Sequence, residues 1–216
     1  MRLVLFGAGG QVAQRIAREA LDRGHDVIGV ARSAKSVRSD NERMVIIDGD
    51  ATDADSVARA SRGADVIISA LSPRPSPSGR PASSLPAAAR ALLDGAKKSG
   101  VKRLVVVGGA GSLEVAPGQR LVDSPNFPAE YKAESLESAA ALEVYRSAAD
   151  GVDWTYVSPA AEMGPGTRTG HYRTSDNTLL SDDKGHSFIS FEDYAKALID
   201  EIEHPTHPHA RMAVAY

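Results

Sequence analysis

Glycines close to the N-terminus have the spacing of a phosphate-binding turn. The stretch "LVLFGAGGQV" at 3–12 runs from an apolar segment into Gly7, Gly9 and Gly10, and a small residue, Ala13, follows three positions later. Glycines allow backbone amides to approach a pyrophosphate, and a small residue at 13 lets a helix pack close to a sheet. A glycine cluster alone also fits a simple turn. Between a predicted strand and a predicted helix, the pattern favours dinucleotide binding.

The end of the second predicted strand indicates which dinucleotide is bound. An NAD site usually has Asp or Glu there to accept hydrogen bonds from the ribose 2′-OH. This chain has "VIGVARSAKS", with Arg32, Ser33 and Lys35 and no carboxylate. A guanidinium beside a hydroxyl suits a 2′-phosphate through charge-assisted hydrogen bonds. A solvated arginine is the alternative interpretation, and we expect NADP(H) to be favoured over NAD(H).

Alternating strand and helix patterns would position these residues at one edge of a sheet. Strands are predicted at Arg2–Phe6, Asp26–Ala31, Met44–Ile47, Ala64–Leu71, 101–109, 154–158 and, last, 211–216. Helices are predicted at Gln11–Arg23, from an Asp53 cap to Ala60, at Leu85–Ser99, at Ala129–Ala149 and from about Ser190. Continuously apolar strands that alternate with helices are typical of a parallel sheet covered on both faces. We therefore predict an α/β, doubly wound Rossmann fold with a parallel central sheet, one domain over 1–216, and a small C-terminal substrate-side region beyond Pro159.

Composition narrows the function classes. The chain has 216 residues, a net charge of −3 and no cysteine. Mild acidity argues against a nucleic-acid groove, and the lack of cysteine excludes a disulfide framework and Cys-ligated zinc. Since no apolar run reaches membrane-span length and no signal peptide is evident, we expect a cytoplasmic protein that acts on a small molecule, as a monomer or a homodimer, without a membrane partner. The Pro- and Ser-rich stretch at 72–86 is predicted to be a long loop.

Six motifs occur in an order that resembles the atypical short-chain dehydrogenase/reductase superfamily. They are "GAGGQVA", "ARS", "GDATDADSV", "VVVGGAGSL", "YKAESLE" and "ISFEDYAKALIDEIEHP". The chain is most similar to the NmrA-like and NAD(P)H-flavin (biliverdin-type) reductase branch, and to proteins described as NAD-dependent epimerases or dehydratases. The resemblance covers essentially the whole chain, and the order of the motifs is more specific than any one of them.

The resemblance implies cofactor contacts at the ends of successive strands. These contacts reach the pyrophosphate, then the adenosine phosphate, the adenine, the adenosine ribose or pyrophosphate, and the nicotinamide. In that order the residues are Gly7, Gly9, Gly10, Gln11 and Val12; Arg32 and Ser33; Asp50 and Ala51; Ala70 and Leu71; and Gly108, Gly109, Ser158, Pro159 and Ala160.

The chain departs from the family at the proton donor. Many members have Tyr-x-x-x-Lys, in which the tyrosine is the general acid and the lysine holds the nicotinamide ribose. Lys132 matches that lysine, but Pro128 stands where the tyrosine would be, and Tyr131 would face another direction on a helix. Tyr145 has no lysine four residues later. Flavins and quinones accept hydride largely through their own electronics, so the missing tyrosine suits that class of acceptor.

Several further residues are weighed as candidates. Lys132 and Ser112, which lies in "GGAGSL" after the fifth strand, are the candidate catalytic residues, although Ser112 fits a loop cap equally well. His171 and Tyr172 lie in the predicted substrate-side region. The histidines of "HPTHPHAR" are not expected to bind a metal, because a Pro-broken tail enforces no ligand geometry. Trp154 is expected in the core.

Two function classes stay open, with a third less favoured. The first is an NADP(H)-dependent oxidoreductase that reduces a flavin, a quinone or a similar planar acceptor. The second is an NmrA-like regulator that senses NADP(H) without turnover. A true epimerase or dehydratase needs a proton donor that the sequence does not reveal. The nicotinamide-side residues favour the enzyme.

Overall fold

An eight-stranded sheet forms the centre of the computed structural model, which describes residues 1–39, 41–72 and 84–216. The strands of this sheet are β1 (Arg2–Phe6), β2 (Asp26–Ala31), β3 (Met44–Asp48), β4 (Val66–Ser69), β5 (Arg103–Val107), β8 (Asp153–Ser158), β10 (Arg173–Ser175) and β12 (Ala210–Ala215). Their order is β10-β12-β8-β5-β4-β1-β2-β3, and every neighbouring pair is parallel except β10 with β12. This arrangement confirms the predicted α/β doubly wound fold.

Helices cover both faces of the sheet. They are α1 (Gln11–Asp22), α2 (Ala54–Ser61), α3 (Leu85–Ser99), α4 (Ala129–Ala148) and α5 (Phe191–Glu203). Leu3 and Leu5 of β1 point to the core beneath α1 and α5, whereas Val4 and Phe6 point to the core beneath α2, α3 and α4. Because both faces are buried, the central strands are apolar without polar alternation.

The caps that end these helices follow from local sequence. Asp53 accepts a hydrogen bond from the Asp55 amide at the start of α2, as predicted. Ser190 accepts one from the Asp193 amide at the start of α5. Gly24, at φ +87°, follows α1, and its left-handed backbone is one that glycine adopts without strain.

The segment between β8 and α5 contains short strands that the sequence pattern does not predict. β9 (Glu162–Gly164) pairs in parallel with β11 (Phe188–Ser190), and β10 adds an antiparallel edge to the large sheet. Earlier in the chain, β6 (Glu114–Ala116) and β7 (Gln119–Arg120) form a hairpin. Three residues or fewer give no readable periodicity, so these strands depend on tertiary pairing.

The predicted loop at 72–86 requires a correction at its end. Ser84 caps α3, and Leu85 and Pro86 form the first turn of that helix, where a proline is tolerated because its missing N–H would be unpaired anyway. The rest of the predicted loop, 73–83, lies outside the described residues. Among the residues that the structure describes, no helix is long and apolar enough to cross a membrane.

Candidate functional site

The glycine turn lies where the strand order of the sheet reverses. β1 has β2 on one side and β4 on the other, so the turn that follows β1 sits at the switch point where doubly wound sheets bind ligands. The amides of Gly7 and Ala8 both donate to the Val30 carbonyl oxygen, at 3.0 and 3.2 Å. Gly7 has φ +83°, and a Cβ there would be 2.5 Å from the Ala70 oxygen. The turn is therefore held against the ends of both neighbouring strands, and only glycine fits at position 7.

The start of α1 is open to a ligand. Gly10 is the N-cap, with φ −75° and ψ 153°, and has no side chain to occupy the helix end. Gly9 and Gln11 are exposed, and Gly10 and Val12 are partly exposed. The first amides of a helix have no acceptor within it, and together with the helix dipole they favour an anion. These residues fit the pyrophosphate of a dinucleotide.

Arg32 and Ser33 directly follow β2 at the same edge, and both are exposed. Val30, whose carbonyl holds the glycine turn, is only two residues before Arg32. In the described ranges no carboxylate lies within 4 Å of the Arg32 guanidinium. The carboxylate that does reach this loop is Asp48, whose Oδ1 accepts from the Ala34 amide at 2.6 Å. An exposed guanidinium beside the glycine turn is compatible with a phosphate ligand.

Asp50 and Ala51 differ in exposure. Asp50 is exposed, and its Oδ1 accepts hydrogen bonds from the amide and the hydroxyl of Thr52. Ala51 is buried in the core beneath α2, α3 and α4. The Asp50 carboxylate therefore shapes the turn into α2, and an adenine contact at these positions stays a prediction.

The residues predicted at the adenosine ribose or pyrophosphate follow β4, and those predicted at the nicotinamide follow β5 and β8. Ala70 donates its amide to the Phe6 oxygen, and both Ala70 and Leu71 are partly exposed. Gly108 donates its amide to the Val157 oxygen at 2.8 Å. A Cβ on Gly108 would be 2.1 Å from the Tyr156 ring, and one on Gly109 would be 3.0 Å from Ser138 Cβ. Packing against Tyr156 therefore explains why position 108 is a glycine, and a contact of Gly108 with the cofactor stays a prediction.

Ser158, Pro159 and Ala160 are buried at the carboxyl end of β8. The Ser158 hydroxyl is fully buried and has no hydrogen-bond partner among the described residues. An unpaired buried hydroxyl is costly, and a polar group from a ligand at this end of the sheet would offset that cost. This orphaned atom and the open glycine turn are the two features that fit a nicotinamide dinucleotide.

Two tyrosines that the sequence analysis missed support the same segment. The Tyr156 hydroxyl donates to the backbone oxygen of Ser138 at 2.9 Å, and the Tyr194 hydroxyl of α5 donates to the backbone oxygen of Val157 at 2.7 Å. Burial raises the pKa of Tyr156 to about 12 and that of Tyr194 well above its ordinary value. The Tyr156 hydroxyl therefore ties β8 to α4, and the Tyr194 hydroxyl ties α5 to β8. Buried aromatic positions gave the only sequence signal, and it does not distinguish such hydroxyls from ordinary core.

Among the described residues, no tyrosine hydroxyl is hydrogen-bonded to Lys132. Pro128 is the N-cap of α4, and Lys132, one turn later, is exposed, as is its neighbour Tyr131. Tyr145 lies in the core and stacks on Trp154, which is itself buried as predicted. Burial raises the pKa of Tyr145, so it holds its proton. Lys132 makes no hydrogen bond or ion pair to another described residue, and its role stays a prediction.

Ser112 has a structural partner. Its hydroxyl and its carbonyl oxygen both accept from Arg211 Nη1, at 2.9 and 3.1 Å. It shares no hydrogen bond with Lys132 within the described ranges. The second candidate catalytic residue is therefore engaged by an arginine, and its contact with a substrate stays a prediction.

The segment at 164–172 is fastened to α1 and α5. Asp193, fully buried in the first turn of α5, accepts from the Thr169 amide and hydroxyl and from the Gly170 amide. Tyr172 donates to Asp200 of α5, so this tyrosine is structural, whereas His171 is exposed. Within the described parts of the chain, no three His, Cys, Asp or Glu side chains are grouped as metal ligands, and His207 instead contacts Glu201.

Comparisons with known proteins agree with this geometry. A sequence model of NAD(P)H-binding domains matches residues 7–205. The uncharacterized protein YwnB of Bacillus subtilis is 35% identical over 99% of this chain and 98% of its own length. A crystal structure of a proposed exported protein from Burkholderia pseudomallei is 44% identical, covers all of both chains and has a TM-score of 0.88.

A third relative has a proposed activity. The crystal structure of SP1627 from Streptococcus pneumoniae, a proposed NADH-flavin reductase, is 31% identical, with a TM-score of 0.83 over 100% of this chain and 99% of its own. The family match spans nearly the whole chain and includes the glycine turn, which confirms the family predicted from the sequence. The chain belongs to the NAD(P)H-binding family.

Proposed function

We propose that this NAD(P)H-dependent oxidoreductase uses NADPH in preference to NADH and reduces a flavin, a quinone or a similar small planar acceptor. The observation that carries the proposal is the open glycine turn at the switch point between β1 and β4. When bound, NADPH supplies the hydride, and the protein supplies binding, orientation and electrostatics.

The preference for NADPH rests on Arg32 and Ser33. They directly follow β2, next to the glycine turn, and are exposed without a carboxylate partner among the described residues. The nearby Asp48 carboxylate is hydrogen-bonded to the Ala34 amide. A guanidinium and a hydroxyl at this position would bind a 2′-phosphate and have no equivalent partner in NADH.

The class of acceptor rests on the missing general acid. A proline caps α4 where the family's tyrosine would be, Tyr145 is buried, and Tyr131 lies on the exposed surface of α4. A carbonyl substrate needs a proton donor in the transition state, whereas a flavin or a quinone depends on it much less. The name of the 31%-identical relative, a proposed NADH-flavin reductase, supports the same class.

The proposal also covers the partner, the oligomeric state and the location of the protein. The partner is a small molecule rather than a nucleic acid or a membrane, and the protein acts as a monomer or a homodimer. Cytoplasmic location stays a prediction, and one relative carries the name of an exported protein. The NADP(H)-sensing alternative requires binding without turnover, so a turnover assay separates it from the proposed reductase.

The test measures binding and turnover separately. Isothermal titration with NADPH and with NADH gives the two affinities, and steady-state loss of nicotinamide absorbance is then followed with FMN, a benzoquinone and, as a control, an aliphatic ketone. We expect tighter NADPH binding and turnover with FMN or the quinone but not with the ketone. Turnover confined to the ketone would overturn the acceptor class, and binding without any turnover would favour the sensor.

A further inference from the structure

A cavity lies beside the loop that follows β5, away from the glycine turn. It has a volume of about 440 Å³ and is bounded by α4, the β6–β7 hairpin, the loop at 177 and the start of β12. Its lining includes Ser112, Glu114, Ala140, Arg146, Asn177 and Arg211. Small-molecule sites typically span about 300–1,000 Å³, so the cavity is large enough for a metabolite-sized ligand.

Arg211 is a buried cation that opens onto this cavity. Only 6% of the residue is exposed. Its hydrogen bonds run to neutral acceptors, namely the carbonyl and hydroxyl oxygens of Ser112 and the Asn177 side-chain oxygen, which accepts from both Nε and Nη2. Among the described residues no carboxylate lies within 4 Å of its guanidinium. A buried charge is ordinarily paired with an opposite charge.

The other charged groups around the cavity do not supply that partner. Arg146 pairs with Glu143 at 2.7 Å, and Arg120 pairs with Asp123 at 2.7 Å. Glu114 lines the cavity but lies beyond ion-pair distance of Arg211. Burial, and then the positive charge of Arg146, lower the pKa of Arg211, and the more distant carboxylates of Glu114 and Glu143 oppose this effect only in part. The cavity therefore contains a buried guanidinium that has no direct ion-pair partner among the described residues.

The cavity is separate from the dinucleotide site. Between them, the loop after β5 packs directly on α4. A Cβ on Gly109 would be 3.0 Å from Ser138 Cβ, and one on Gly111 would be 2.6 Å from Ser135 Cβ. No ligand fits between the loop and α4 at these two glycines.

We propose that this cavity binds a small molecule through an anionic oxyacid group, a carboxylate or a phosphate, seated against Arg211 and Arg146. The donors are the remaining N–H of Arg211 Nη2 and those N–H groups of Arg146 that do not donate to Glu143 or Asn177. An anion there neutralises the buried guanidinium in the way a protein carboxylate otherwise would. Ser112, which holds Arg211, is also a candidate catalytic residue, so the test below measures anion binding and not turnover.

The probes are inorganic phosphate and succinate, titrated by calorimetry at constant ionic strength set with sodium chloride. The variants are Arg211→Met, which removes the cation, and Ala140→Phe, which fills the cavity from an exposed position on α4 without changing a hydrogen bond of Arg211. Arg18→Gln is the matched control, because its side chain is 85% exposed on α1. Gly10→Val reports any anion bound at the glycine turn instead.

We expect at least one probe to bind saturably, with affinity reduced about tenfold or more by Arg211→Met and by Ala140→Phe. Arg18→Gln and Gly10→Val should leave that binding unchanged. Which probe binds identifies the carboxylate or the phosphate as the group recognised. Failure of both probes to saturate, or binding that survives Ala140→Phe in a protein with a wild-type melting curve, would overturn the proposal. Loss only in Gly10→Val would assign the anion to the dinucleotide site.

Discussion

Arg32 is the side chain on which the proposed preference for NADPH depends. We expect Arg32→Ala to weaken NADPH binding about tenfold or more, because the charge-assisted bonds that it removes contribute about 1.5–3 kcal/mol. NADH binding should hardly change, since NADH lacks the 2′-phosphate. Calorimetric titration of both cofactors checks this, with Arg59→Ala on exposed α2 surface as the control. Equal affinity of the wild type for NADPH and NADH would contradict the assignment.

The turnover of single variants distinguishes the role of Lys132 from that of its neighbour Tyr131. If Lys132 holds the nicotinamide ribose, Lys132→Ala should reduce NADPH turnover on the order of 100-fold, since misplacement of the reacting carbon is costly. Lys132→Arg should restore part of the activity, and Tyr131→Phe should retain most of it. The pH profile of turnover should keep its shape in Tyr131→Phe. A loss of several orders of magnitude in Tyr131→Phe would show that this tyrosine is the acid.

At the residue scale, the role of a side chain could be predicted where its partners are close to it in sequence. The Asp53 cap and the glycine turn are examples, because each is decided within a few residues. Ser112 is the opposite case. Its partner Arg211 is 99 residues away, so nothing near Ser112 in the sequence indicated that its hydroxyl would be engaged.

At the scale of elements, the glycine turn needs a left-handed backbone at Gly7 and open space for a ligand at Gly10. Gly7→Ala should lower the free energy of unfolding by about 1–3 kcal/mol, since position 7 has φ +83° and a Cβ there meets the Ala70 oxygen. Urea unfolding monitored by circular dichroism measures the change. An unaltered unfolding midpoint in Gly7→Ala would mean that the turn is less constrained than its geometry indicates.

The variant Gly10→Val distinguishes an effect on cofactor binding from an effect on folding. The backbone at Gly10 is extended, and a Cβ there makes only an ordinary contact, 3.4 Å from the Gly7 oxygen. The variant should therefore fold, with a cost of about 1 kcal/mol or less at the helix N-cap, while the branched side chain blocks the pyrophosphate. An unchanged NADPH titration of folded Gly10→Val would show that the turn has no ligand-binding role.

Long elements were predictable because burial on a sheet or a helix face repeats along them. Strand β4 was predicted too long, at Ala64–Leu71, because apolar residues continue past the observed bounds of Val66–Ser69 into the turn at the ligand edge. The short strands β9, β10 and β11 were not predictable. They exist through pairing with residues far away in sequence, and no periodic pattern marks them.

At the scale of the whole molecule, an ion pair between half-exposed Arg168 and buried Glu19 fastens the segment at 164–172 to α1. Glu19 of α1 accepts two hydrogen bonds from Arg168 and two from Arg23, and the bonds from Arg168 are the main cause of its lowered pKa, against the opposing effect of burial. A carboxyl with a lowered folded pKa stabilises the protein above its unfolded pKa, and this stability is lost as the pH falls through the folded value.

Arg168→Gln tests this coupling. The variant should lose about 1 kcal/mol of unfolding free energy at pH 7, a modest figure because the Arg168 side chain is half exposed. The difference from wild type should begin to shrink as the pH falls below the ordinary pKa of a glutamate, about 4.3, and should vanish as the pH falls through the lower folded pKa of Glu19. Urea unfolding at several pH values measures both, with Arg59→Gln as an exposed-pair control. A deficit that stays constant down to pH 3 would refute the role of Glu19.

The most direct test of the central claim is hydride transfer observed in one turnover. Protein mixed with NADPH, or with NADPH deuterated at the transferred position, is combined with excess FMN in an anaerobic stopped-flow instrument. The proposal predicts that nicotinamide absorbance and oxidised-flavin absorbance fall together at one rate, that deuteration slows this rate, and that Gly10→Val abolishes it. Bound NADPH that persists unchanged beside FMN, and likewise beside a benzoquinone, would contradict the claim.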